Sequence, residues 1–154
     1  MMTEIRKRVL FICTGNSVRS QMAEGLLKAL GSGQWEVQSA GIIQSFVHPL
    51  AIRVMEEIRI DISKQTSKSM DRFVNEKFDY VITLCDHAAQ FCPTFSGRGK
   101  RLHWPFEDPA GAIGTTEERL AVFRRIRDGI KTKIEAFLKS ESFEIHDAIA
   151  SFKF

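Results

Sequence analysis

The longest purely apolar run near the N-terminus is Val9-Leu10-Phe11-Ile12-Cys13. That is far short of the ~20 residues of a membrane span or the roughly 7–15 of a secretion-signal core. Neither membrane insertion nor export is expected, and the chain reads as cytoplasmic. An unbroken basic stripe is missing too. The 22 Lys and Arg stand against 19 Asp and Glu, and the surplus sits in short clusters such as Arg6-Lys7-Arg8 and Arg124-Arg125-Ile126-Arg127. Without aromatics between them these clusters do not make a nucleic-acid footprint. His48, His87, His103 and His146 are scattered and no two cysteines have Cys-x2-Cys spacing, so no metal site is expected. There is one tyrosine, Tyr80, and no internal repeat. Only three cysteines occur, an odd number without a secretion signal, which excludes a disulfide framework. They are buried apolar thiols, metal ligands, or redox and nucleophilic thiols, and their positions must decide.

What is present is enough for one folded unit. A chain of 154 residues, 44% hydrophobic, buries about 68–70% of its unfolded surface without staples. Val9 to Cys13 reads as a buried strand, Thr14 to Ser17 as a tight loop, and Gln21 to Leu27 as a helix with Met22, Leu26 and Leu27 facing the core. Gly31-Ser32-Gly33 closes that helix. Trp35 to Ala40 alternates as a second strand, and His48-Pro49 opens a helix through about Ile58. Tyr80 to Leu84 forms a third strand, and Arg101 to Trp104 a fourth. This βαβα order predicts a parallel sheet with helices on both faces, a three-layer α/β/α sandwich of four strands. From Glu117 and Glu118 onward, Leu120, Phe123, Ile126, Ile130, Ile134 and Phe137 form one helical stripe. The domain is drawn as 1–139, with 140–154 a C-terminal tail to which no role is assigned.

Cys13-Thr14-Gly15-Asn16-Ser17-Val18-Arg19-Ser20 places a cysteine at a strand end and an arginine at the start of a helix. A loop of this length can aim successive backbone N–H groups at a tetrahedral oxyanion, with the positive helix end beneath it. Arg19 adds a bidentate pair. The same field favours a thiolate at Cys13 and makes it a nucleophile. Gly15 and Asn16 suit the left-handed backbone that such a cradle needs, and Ser17 and Ser20 can hydrogen-bond the loop or the sulfur. Cys-x5-Arg alone is weak, since three cysteines and twelve arginines give about 0.2 chance matches. The strand-to-helix setting with Gly-Asn-Ser between makes it specific for a phosphate-like anion.

The segment Cys13 to Gly25, together with Ser39-Ala40-Gly41, Thr83-Leu84-Cys85, Cys92-Pro93, His103-Trp104 and Asp108-Pro109-Ala110, resembles the low-molecular-weight tyrosine phosphatases. It is most similar to their thioredoxin-coupled arsenate reductase branch. That resemblance implies Cys13 as nucleophile, Thr14 to Ser20 as the oxyanion loop, and Asp108 as the acid that protonates the departing oxygen, with Glu107 turned to water. It also implies that Cys85 and Cys92 relay oxidation from Cys13 to thioredoxin, with arsenate as substrate. No tightly bound cofactor is implied, and a monomer is expected. Relatives that hold potassium use residues matching Asn16, Glu24, Ser39 and Thr66, but Lys68 stands where they carry an aspartate; its ammonium can replace the cation, so no potassium site is expected. Val18 replaces a further cysteine outside the relay. Independently of family, a helix between Cys85 and Cys92 would separate their Cα atoms by about 10 Å, beyond disulfide reach, so that pairing requires the helix to unwind. The alternatives are a phosphatase working through a phosphocysteine at Cys13, for which no aryl platform is evident, and an idle anion-binding or redox-sensing protein.

Overall fold

A computed structural model describes residues 6–92 and 99–151, with side chains through Glu141. Pro93 of the cysteine segment and 152–154 of the tail lie outside the described residues, as does the side chain of His146. Strands β1 (Lys7–Cys13), β2 (Trp35–Gly41), β3 (Tyr80–Thr83) and β4 (Lys100–His103) form one parallel sheet in the order β2-β1-β3-β4. Helices α1 (Arg19–Leu30), α2 (Pro49–Glu56), α3 (Asp86–Phe91) and α4 (Thr116–Ser151) connect and cover the strands, completing the three-layer α/β/α arrangement.

The strand order sets where chemistry can occur. From β1 the chain crosses to β2 on one side, and the next strand, β3, pairs with the other side of β1. A crevice opens at this reversal, beyond the carboxyl ends of β1 and β3, and loops from both strands meet there. The register Ile12↔Thr83 and the bond from Leu84 N–H to Ile12 O bring the residues after each strand side by side.

Val9, Leu10, Phe11 and Ile12 are fully buried, which explains why β1 reads as an unbroken apolar run instead of an alternating one. Met22, Leu26 and Leu27 on α1 and the whole stripe from Leu120 to Phe137 on α4 are buried as well. Each such side chain contributes about 1.5–3 kcal/mol. Thr115 and Glu118 form a reciprocal capping box at the start of α4: Glu118 N–H donates to Thr115 Oγ1 at 3.1 Å and Thr115 N–H donates to Glu118 Oε1 at 3.1 Å. Those bonds hold the Glu118 carboxyl below its usual range.

The helix does not stop at Lys139. It continues to Ser151, and Glu141, placed in the tail on sequence grounds, is buried. Its carboxylate accepts from the Tyr80 hydroxyl and, at 2.9 Å, from Lys7 Nζ. A buried carboxylate needs such partners. No apolar periodicity announces Glu141, because the position is secured by charge.

Candidate active site

Six consecutive carbonyls of the β1–α1 loop are turned outward and bonded to the scaffold. Cys13 O accepts from Ile42 N, Thr14 O from Ile43 N, Ser17 O from His48 N and Val18 O from Met22 N, all within 2.9–3.1 Å. Gly15 O accepts from Ser67 Oγ at 3.2 Å and Asn16 O from Gln21 Nε2 at 3.1 Å. With every carbonyl held on the outside, the intervening amides face the concave side. That is the arrangement of an anion nest.

Asn16 sets the loop's shape. It is fully buried with φ 49°, and its Oδ1 accepts from Lys68 N at 2.8 Å. That bond fixes the amide orientation, so Nδ2 donates to Ser20 Oγ at 2.8 Å and to Ser39 Oγ at 2.9 Å. Ser39 Oγ passes its own proton toward Glu24 Oε1 at 2.6 Å. Ser20, already an acceptor, has its hydroxyl proton available for Cys13 Sγ, 2.8 Å away. One buried amide thus orients a proton donor onto the sulfur.

Arg19 is 6% exposed at the start of α1. Its Nη1 donates to Phe106 O at 3.0 Å, and its Nη2 lies 3.5 Å from Asp108 Oδ2. Its Nε is buried without a partner. A guanidinium braced at one end with a donor to spare suits an anion oxygen. Asp108 reaches this point because Trp104 N bonds Thr83 O and Phe106 N bonds Leu84 O, extending the β3–β4 contact into the following loop. Its other oxygen accepts from Ala110 N at 3.0 Å, and the carboxylate remains half exposed. Neighbouring Glu107 turns outward to Arg125, 2.8 Å away.

Cys85 caps the N-terminus of α3 and Cys92 ends it. Cys85 Sγ accepts from Ala88 N at 3.3 Å and shares a hydrogen bond with Thr14 Oγ1 at 3.2 Å. The residue following Cys13 therefore touches the second thiol directly. Cys92 is half-buried at the other end of the helix, and burial pushes its thiol up.

A model of the family described as low molecular weight phosphotyrosine protein phosphatase matches residues 8–146. The chain belongs to this family. The arsenate reductase of Halalkalibacterium halodurans is 50% identical over 135 residues, covering 88% of this chain and 97% of its own. A solved structure of an arsenate reductase in the phosphate binding state has a TM-score of 0.76 at 41% identity, covering 87% of this chain and 98% of its own. A thioredoxin-dependent arsenate reductase from Corynebacterium glutamicum has a TM-score of 0.71 at 28% identity, over 93% of this chain and 65% of that one.

Lys68 adjoins the loop through its backbone N–H, which donates to Asn16 Oδ1 at 2.8 Å. Its ammonium, nearly buried, donates to Thr66 O at 2.8 Å, while Glu24 receives Lys28 Nζ at 2.6 Å as well as Ser39. Burial pushes the Lys68 amine below its usual range, with the Glu24 charge opposing. Several contributors escaped the sequence reading. Ser67 and Gln21 hold the loop's carbonyls, and His103 links Thr83 Oγ1 at 2.8 Å to Asp86 Oδ1 at 3.0 Å. Phe46, 62% exposed and stacked on His48, adds an aromatic ring in the segment whose Ser45 approaches Gly15. Ser67 and Phe46 are single residues in irregular segments, and Gln21 and His103 are single polar positions on α1 and β4, so no period marks any of them.

Proposed function

We propose that the protein reduces arsenate to arsenite through Cys13, Cys85 and Cys92, with thioredoxin restoring the thiols. The observation that carries this reading is the Thr14 contact to Cys85 beside the anion loop. A phosphatase has no need of a second thiol at that place. Support for the substrate comes from the arsenate reductases to which the chain is similar, and for the reductant from the thioredoxin-dependent one.

Arsenate, a tetrahedral anion, binds in the loop of Thr14 to Ser20 with Arg19 on two of its oxygens. The Cys13 thiolate attacks arsenic and a hydroxyl leaves as water, taking its proton from Asp108. Cys85 then attacks the Cys13 sulfur. The electron pair of the S–As bond passes to arsenic, which departs as arsenite, and a Cys13–Cys85 disulfide remains. Cys92 attacks Cys85, releasing Cys13, and a thioredoxin dithiol reduces the resulting Cys85–Cys92 bond by thiol exchange. That last pairing requires α3 to unwind, because its wound form spans about 10 Å between the two cysteine Cα atoms.

The decisive experiment couples the protein to thioredoxin, thioredoxin reductase and NADPH, and follows NADPH loss on arsenate addition. Wild-type protein turns over. Cys85→Ser and Cys92→Ser stop after at most one equivalent of arsenite, and Asp108→Asn slows turnover by about 10²–10⁴. Unchanged turnover in either cysteine variant refutes the relay. Hydrolysis of aryl phosphates far faster than arsenate reduction would move the assignment to a phosphatase.

A further inference from the structure

Neither the loop chemistry nor the thiol relay assigns anything to Arg101. It lies on the edge strand β4, opposite Val81 of β3. Its Nη2 donates to the carbonyl oxygen of Cys92 at 2.8 Å, at the point where α3 ends. Burial raises the Cys92 thiol, and the influences acting the other way are the charge of Arg101 and a hydrogen bond from it. The other charged groups of these two elements are placed elsewhere. Asp86 stands at the far end of α3, bonded to His103 of β4, and His87 and Lys100 are exposed. Among the described residues, Arg101 is the cation whose field reaches this sulfur.

We infer that Arg101 is a positioning residue that holds Cys92 at the end of α3 and favours its thiolate for the second exchange of the relay. The inference rests on the reductase reading. In that step the Cys92 thiolate attacks Cys85 Sγ of the Cys13–Cys85 disulfide. A Cys85–Cys92 bond forms, the Cys13–Cys85 bond breaks, and Cys13 leaves with the electron pair. The proton given up by Cys92 has gone to solvent, and no net oxidation occurs. Only the thiolate attacks, so each pH unit by which its titration moves upward removes about tenfold of the reactive form. The more basic sulfur recovers about threefold in nucleophilicity, leaving a net loss of about threefold per unit.

The test reads Cys92 separately from turnover. Reduced full-length protein, without arsenate, is alkylated across a pH series, and the Cys92 peptide is quantified by mass spectrometry. Arg101→Gln is expected to move the Cys92 midpoint upward by about half a unit or more, Arg101→Lys to restore most of the shift, and Cys13 to be unmoved in both. After arsenate addition in rapid-quench experiments, Arg101→Gln forms the Cys13–Cys85 disulfide at the wild-type rate. It passes that disulfide to Cys92 roughly two- to fivefold more slowly at neutral pH, and the deficit closes at alkaline pH. An unmoved Cys92 midpoint, or equal behaviour of the Gln and Lys variants, overturns the assignment of Arg101 alone. Failure of the wild type to form any Cys85–Cys92 disulfide after arsenate overturns the relay, and with it the step in which Arg101 acts.

Discussion

Replacing Asn16 tests whether the anion loop is held by the network described above or by the chain on either side of it. Asn16→Ala removes three side-chain hydrogen bonds, to Lys68 N, Ser20 Oγ and Ser39 Oγ. At about 1 kcal/mol net apiece they amount to ~3 kcal/mol, and the Lys68 amide is left unsatisfied in a buried place. Alanine must also adopt φ 49°, a left-handed conformation that asparagine tolerates and that costs an ordinary residue about 1–2 kcal/mol. The sum, ~4–5 kcal/mol, approaches the whole stability of a marginal domain. Asn16→Gly loses the same bonds without the backbone strain and is expected to be less destabilised than alanine, although its freer unfolded chain returns about 0.5–1 kcal/mol of that difference. Asn16→Asp keeps the acceptor for Lys68 but surrenders both donations, and it sets a negative charge under an anion site. It is therefore expected to lose phosphate binding more severely than stability. Urea denaturation and phosphate titration of the three variants measure both quantities. A loss below about 1 kcal/mol for alanine, or a glycine variant less stable than alanine, refutes the network and the strain argument respectively.

Three further outcomes follow from other parts of the molecule. His48 caps α2 by accepting from Leu50 N at 3.0 Å, and burial, reinforced by Arg119, pushes its ring below the ordinary histidine range. The unfolded chain therefore takes up a proton before the native one does, so stability falls as pH drops below about 6.5, the ordinary histidine value. His48→Asn, which can still cap, should flatten that slope in denaturation curves above and below this pH, and equal slopes in both proteins would refute the argument. A Cβ on Gly25 would sit 2.5 Å from Ile62 Cγ2 and 3.3 Å from Met55 Cε, both fully buried side chains. Gly25→Ala should thus lose about 1–2 kcal/mol in thermal unfolding despite its gain in helix propensity, and a stabilised variant would show that α1 has room there. Lys68→Met strips Thr66 O of its ammonium and should lose about 1–3 kcal/mol, whereas exchanging potassium for sodium should leave wild-type stability and phosphate affinity unchanged. A clear potassium dependence in the wild type would contradict the placement of Lys68.

How much of this was readable from the sequence depended on whether the interaction repeats. The stripe from Leu120 to Phe137 and the continuous burial of β1 follow periods of 3.6 and of a two-faced strand, and both were legible. The loop was legible for another reason: Cys13, Asn16 and Arg19 are residue types that one local geometry demands, whereas Gly15, expected in the left-handed region beside Asn16, has an ordinary φ and room for a Cβ. What holds the loop was not legible, because Ser67 and Gln21 each supply one hydrogen bond to a loop carbonyl, in the case of Ser67 across 52 residues of sequence, and Gln21 donates as well to Thr66 O. Such bonds leave no mark beyond one polar residue among many. Glu141 illustrates the opposite failure. A charged residue past the end of an apolar stripe reads as solvent-facing, yet Lys7 and Tyr80, at the start of β1 and β3, make its burial favourable and carry α4 beyond the boundary drawn at Lys139.

The three cysteines show why spacing along the chain misleads about order in space. Thr14 and Cys85, 71 residues apart, touch because β1 and β3 are neighbours in the sheet and end at the same rim. Cys85 and Cys92 are close in sequence, yet a wound helix stands between them. Sheet topology thus places Cys85, the thiol that acts next in the proposed relay, beside the anion loop. The thiol that must act last is held off by a helix of six residues, which tertiary contacts stabilise and which would be marginal alone. In the proposed relay, oxidation of Cys13 by arsenate would be answered first by Cys85, and Cys92 would enter when α3 gives up its hydrogen bonds. A variant that unwinds α3 in the resting protein, such as Gln90→Pro, which sits past the first turn of this six-residue helix, should allow a premature Cys85–Cys92 disulfide under mild oxidant without arsenate. Mass spectrometry of the oxidised protein would detect it. If that variant pairs Cys85 with Cys92 no faster than the wild type does, the helix is not what keeps the two thiols apart.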